Sequence, residues 1–128
     1  MERFFIEQTK ATPQIDFDAD KYRLNIKGQS YPENAFKFYE PIFKWIDQFL
    51  EAAEDEKAIT LEIGMPYVNT SSSKCILMIL EKLENVSEAG KRVMINWYYD
   101  EENDSELECA EEFKDFVSID FNIIPMKT

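Results

Sequence analysis

Apolar residues stand at every second position in residues 14–17 and 22–27, where Ile15 and Phe17 are followed by Tyr22, Leu24 and Ile26. Such alternation puts one set of side chains on a single face of an extended strand. Asp18-Ala19-Asp20-Lys21 between the two runs carries turn chemistry, so the pair reads as a β-hairpin, and Gly28 ends its second strand. Residues 4–9 form a short apolar run that fits an edge strand or an N-terminal tail pairing with the sheet. The period then changes. Phe36, Tyr39, Phe43, Ile46, Phe49 and Leu50 recur at helical spacing and predict a helix running to about Ala53. Its start falls at Ser30-Tyr31-Pro32-Glu33, where Ser30 can cap, Pro32 needs no N–H, and Glu33 stands three residues after the cap. Pro41 should bend or restart this helix near Tyr39 and Glu40.

Alternation returns in residues 58–65 through Ile59, Leu61, Ile63 and Met65. Residues 74–86 place Ile76, Ile79, Leu80 and Leu83 on one helical face, with Gly90 as a stop. Residues 92–99 form the next strand, with Val93, Ile95, Trp97 and Tyr99 on one side. Ser105-Glu106-Leu107-Glu108 resembles a capping box opening a short helix to about Phe116, and Val117, Ile119, Phe121 and Ile123 alternate in a last strand. The order is a β-hairpin followed by α-β-α-β-α-β. It predicts an α/β protein, one domain over residues 1–128, built as a mixed sheet flanked by helices.

Composition narrows the function classes. A chain of 128 residues with 45% hydrophobic and 14% aromatic content can bury a core. Its net charge of −12 argues against nucleic acid or an anionic membrane as partner, since both need a positive footprint. Histidine is absent, which removes the commonest general base and the commonest metal ligand together. Cys75 and Cys109 fall on separate predicted helices and read as buried free thiols, in keeping with a reducing cytoplasm. The N-terminus lacks the pattern of a signal peptide, and no apolar run reaches membrane-spanning length. Neither a metal nor a cofactor is expected.

Candidate chemistry concentrates in residues 67–74, Tyr67-Val68-Asn69-Thr70-Ser71-Ser72-Ser73-Lys74, where hydroxyl residues stand between a strand and a helix. Such a junction carries unpaired N–H groups and the positive end of the helix dipole. The glycines of a phosphate-binding loop are missing, and an adjacent serine and lysine make a weak nucleophile pattern. Asp100, Glu101, Glu102 and Asp104 lack the spacing of a calcium loop and read as a solvated turn. Capping by Thr70, Ser71 or Ser72 accounts for one hydroxyl. The remainder leaves two readings open: a regulatory phosphorylation site, or a small-ligand sensor binding an anion at the helix start. Trp45, Trp97, Tyr98 and Tyr99 fit core and half-exposed strand positions, while Tyr31, Tyr67 and Tyr98 could form an aromatic contact surface.

Longer motifs favour the first reading. Thr12-Pro13, Ile26-Lys27-Gly28-Gln29-Ser30-Tyr31-Pro32-Glu33-Asn34, Phe38-Tyr39-Glu40-Pro41, Trp45, Asn69-Thr70-Ser71-Ser72-Ser73-Lys74 and Asn96-Trp97-Tyr98-Tyr99-Asp100 follow one another along nearly the whole chain. In this the sequence resembles the SiaC family of bacterial regulatory phosphoproteins. The resemblance implies a non-enzymatic partner-switching protein, phosphorylated on a threonine by a GHKL-type kinase and dephosphorylated by a PPM-type phosphatase. It further implies that the unphosphorylated form binds and activates a GGDEF-containing diguanylate cyclase, raising cyclic di-GMP and favouring biofilm. On motif position the acceptor is Thr70. The strand–phosphosite–helix order is also similar to the topology of STAS-type anti-sigma-factor antagonists. The docking face expected around Thr70 comprises Tyr31, Asn34, Tyr67, Asn69, Ser71 and Lys74. The SYPEN segment (30–34) joins it only if its helix starts at the same end of the sheet.

Overall fold

The computed structural model describes residues 1–127. Its elements are β1 (Phe4–Ile6), β2 (Gln14–Asp18), β3 (Arg23–Lys27), α1 (Ala35–Ala52), β4 (Ile59–Gly64), α2 (Thr70–Glu88), β5 (Val93–Asp100), α3 (Asp104–Lys114) and β6 (Asp120–Met126). They build one six-stranded sheet in sequence order, β1-β2-β3-β4-β5-β6. The first three strands are antiparallel neighbours, and β3 to β6 are parallel. The mixed α/β sheet and its STAS-like order are those the pattern predicts, and residues 4–6 do form the edge strand.

All three helices lie on one face. Each parallel connection adds its strand on the same side of the last, and crossovers share one hand, so every helix is delivered to the same layer. Register shows which face this is. Leu24, Leu61, Ile95 and Phe121 align across four strands and Ile26, Ile63 and Trp97 across three, and all seven are buried. Trp97 stacks on Phe113 of α3 with ring centroids 4.8 Å apart, and Phe17 meets Trp45 of α1 at 5.2 Å. The opposite face carries the row Asp16, Asn25, Glu62, Asn96 and Asn122, joined in part by amide hydrogen bonds from Asn122 to Asn96 and from Asn96 to Glu62.

Several expected boundaries move. The cap of α1 is Asn34, whose Oδ1 accepts the Lys37 N–H at 3.0 Å, and not Ser30. Pro41 does not restart the helix, which is continuous from Ala35 to Ala52. Pro41 is exposed, so the carbonyl it leaves unbonded is on the wet side while Tyr39, Ile42, Phe43 and Ile46 hold the buried stripe. The cap of α3 is Asn103 rather than Ser105, and Glu106 turns back so that its Oε1 accepts the Asp100 N–H. β6 begins at Asp120, because the chain leaving α3 spends Phe116 and Val117 on tight turns back to Phe113 and Lys114. Cys75 is buried as expected, whereas Cys109 is half-buried. Desolvation raises both thiols above their usual range, which keeps them neutral.

Candidate functional site

The hydroxyl cluster belongs to α2 itself. Thr70 is the first helical residue, so the helix begins four residues before the expected Lys74. The cap is Asn69 and none of the hydroxyls: its Oδ1 accepts the Ser72 N–H at 2.8 Å and its carbonyl accepts the Ser73 N–H at 2.9 Å. An extended Asn69 brings its short side chain back over the first turn, as a cap requires. With capping assigned to Asn69, the hydroxyls sort by position. Thr70 and Ser71 are exposed, Ser72 is fully buried and Ser73 is half-buried. Lys74 is exposed one turn beyond Thr70 on the same side of the helix. Asn69→Ala should therefore cost about 1 kcal/mol of stability, read as a lower urea midpoint. Thr70→Ala should leave the midpoint nearly unchanged.

The SYPEN segment reaches the same place. β3 and β4 are parallel, so the chain leaves both strands at one end, and α1 and α2 start there. Beyond the strands the two loops continue to pair. Gly28 N–H donates to the Gly64 carbonyl at 2.9 Å, Ser30 N–H to Tyr67 at 2.8 Å, and Asn69 N–H to Ser30 at 2.9 Å. Ser30 and Val68 form an isolated parallel bridge. Ser30 Oγ then points inward, 2.8 Å from the Tyr39 hydroxyl and donating to Ser72 Oγ at 2.8 Å. Tyr39, Ser30 and Ser72 are all fully buried, and burial pushes the Tyr39 phenol well above its ordinary range. Ser30 is thus a buried tie between loops and not a solvent-facing cap.

Above this tie the tyrosines meet. Tyr31 and Tyr67 pack edge to face with ring centroids 6.0 Å apart, Tyr31 half-buried and Tyr67 55% exposed. Asn34 and Asn69 lie at the same end, each with its side-chain oxygen committed to a cap. The geometry therefore brings Tyr31, Asn34, Tyr67, Asn69, Thr70, Ser71 and Lys74 to one end of the molecule. Tyr98 does not join them. It lies on the uncovered sheet face with the Lys27 ammonium 3.9 Å from its ring centroid. One residue is added: Phe36, in the first turn of α1, is 54% exposed and meets Phe43 edge to face with ring centroids 6.0 Å apart. Its spacing matches that of buried Phe43, so the helical period alone does not mark it as exposed. It is exposed because the first turn stands at the end of the helix layer.

Chemically this surface offers an accessible threonine hydroxyl at a helix start, flanked by aromatic rings and one cation. Among the described residues no group of three or more His, Cys, Asp or Glu is placed to hold a metal ion. No helix among them is long and apolar enough to cross a membrane.

Known proteins show the same organisation. Residues 6–126 match the SiaC family of regulatory phosphoproteins. An uncharacterised protein of Pseudomonas aeruginosa strain UCBPP-PA14 is 36% identical over 123 residues, covering 96% of each chain. The crystal structure of apo-SiaC from Pseudomonas aeruginosa superposes with a TM-score of 0.90 at 35% identity, over 97% of this chain and 99% of that one. SiaC in the crystal structure of the diguanylate cyclase SiaD with its activator SiaC, also from Pseudomonas aeruginosa, gives 0.90 at 34% identity, over 96% and 99%. The family is one of regulators and not of enzymes, and this chain belongs to it: it is a SiaC-family regulatory phosphoprotein.

Proposed function

We propose that the chain is a non-enzymatic switch whose unphosphorylated form binds and activates a diguanylate cyclase, and that phosphorylation of Thr70 releases that partner. The observation that carries the reading is the placement of Thr70: an exposed hydroxyl on the first residue of α2, in the midst of the aromatic surface and relieved of capping by Asn69. The structurally similar SiaC is the activator of the cyclase SiaD, which supports a cyclase as the partner here. A GHKL-type kinase adds the phosphate and a PPM-type phosphatase removes it. Tyr31, Asn34, Tyr67, Asn69, Ser71 and Lys74 surround Thr70 in the docking face, and Phe36 extends it.

Cyclase turnover tests the reading. Unphosphorylated protein should raise cyclic di-GMP synthesis, and protein treated with kinase and ATP should not. A cyclase indifferent to both forms would remove the proposed partner. The aromatic residues give a second test. Large exposed rings that a partner covers are among the residues whose truncation costs most. Phe36→Ala and Tyr67→Ala should each weaken cyclase binding about tenfold or more by calorimetric titration. Each ring is more than half exposed in the free protein, so the melting temperature should change little.

A further inference from the structure

We propose that the buried hydroxyl chain Tyr39–Ser30–Ser72 is a positioning device that locks the two loops of the docking face, residues 28–34 and 65–69, into one rigid surface, so that a partner engages both loops together. This rests on the proposed docking face around Thr70. Each link joins a different element: Tyr39 lies in α1, Ser72 in the first turn of α2, and Ser30 in the loop between β3 and α1.

A hydroxyl in an apolar core is tolerated only when it is bonded, and an apolar side chain could fill the same volume without that demand. What hydroxyls add is direction. Ser30 donates to Ser72, so Tyr39 supplies the proton to Ser30, and its phenol stays protonated because burial raises it. The chain therefore runs one way, from α1 through the SYPEN loop to the turn carrying Thr70. Ser30 also holds two of the three backbone links between the segments leaving β3 and β4, accepting from Asn69 and donating to Tyr67. If Ser30 shifts, Tyr31 and Thr70 lose their common reference. The same bonds take Ser72 out of solvent, while Thr70 and Ser71 stay exposed and Ser73 half-buried.

Tyr39→Phe removes the donor and keeps the ring, and Ser72→Ala removes the far acceptor and keeps a good helix former. Both are measured well below their melting temperatures by amide hydrogen exchange and by binding to the cyclase. In each variant, exchange at the Ser30 and Asn69 amides should accelerate together by about tenfold or more, beyond any change at Leu61 in β4. Cyclase affinity should fall about fivefold or more. Exchange rising no more at Ser30 and Asn69 than at Leu61 would mean ordinary loss of stability and would overturn the device. So would wild-type affinity in a variant whose loops exchange faster. Thr70→Asp in an otherwise unchanged chain is measured in parallel. If it binds the cyclase as wild type does, the phosphoswitch fails, and the exchange data still decide whether the loops are locked.

Discussion

Thr70→Asp will bind the cyclase on the order of a hundredfold more weakly than the wild type, and phosphothreonine at the same position more weakly still. The fold will be almost untouched. A phosphate adds about −1.5 to −2 charges at the start of α2, where the dipole favours it by about 0.3–1 kcal/mol. Lys74, one turn away and exposed, adds a pairing of about 0.3–0.5 kcal/mol. Neither is large enough to remodel a domain, and both are favourable. Burial in an interface is different, since an unpaired charge taken out of water costs several kcal/mol and each ~1.4 kcal/mol is tenfold in affinity. Repulsion would add to this for a partner surface that is itself acidic. Thr70→Ala should bind as wild type does, because Asn69 and not Thr70 caps the helix. Calorimetric titration of the three proteins checks the series. Wild-type affinity in Thr70→Asp would contradict local blockade.

Trp97→Ala will destabilise the fold by about 3–5 kcal/mol, against a total of about 5–15 kcal/mol for a domain of this kind. Trp97 is 1% exposed and stacks on Phe113 at 4.8 Å and Phe121 at 6.0 Å. It stands in β5, which is paired on both sides, so the sheet cannot close over the cavity without disturbing β4 and β6. The urea midpoint should drop with the slope of the transition unchanged. A loss under about 1 kcal/mol would mean that this part of the core is loosely packed. The NWYYD motif thus divides its work: Trp97 holds α3 to the sheet, while Asn96 and Tyr98 point to the uncovered face.

The core was legible because its signal is local. Ile15, Leu24, Ile26 and Leu61 alternate with polar neighbours, and that period alone assigns them to one face. Caps were less so. All three helices use asparagine, at Asn34, Asn69 and Asn103, each accepting an N–H three residues on. Serine and threonine stand close to each start and rank as well for capping, so the choice depends on where the chain turns off its strand. Ser30 shows the limit most clearly. Its burial is decided by Tyr39, nine residues away, and Ser72, 42 residues away, and no local pattern carries that information. Phe36 fails in the opposite sense, since a residue at a helix end obeys the buried period without having anything to be buried against. The hydroxyl run stood out because it exceeded the needs of a cap, but the family resemblance and not the run singled out Thr70. Its accessibility, and the loss of Ser72 to the core, follow only from the folded first turn.

Incubation of the intact protein with its kinase and ATP, followed by peptide mapping and titration of the modified protein against the cyclase, decides whether Thr70 is the switch. One phosphate is expected on Thr70 and none on Ser72, with binding weakened on the order of a hundredfold or more. Phosphate carried elsewhere and retained in Thr70→Ala, or a Thr70-phosphorylated protein that still binds the cyclase with wild-type affinity, would contradict it.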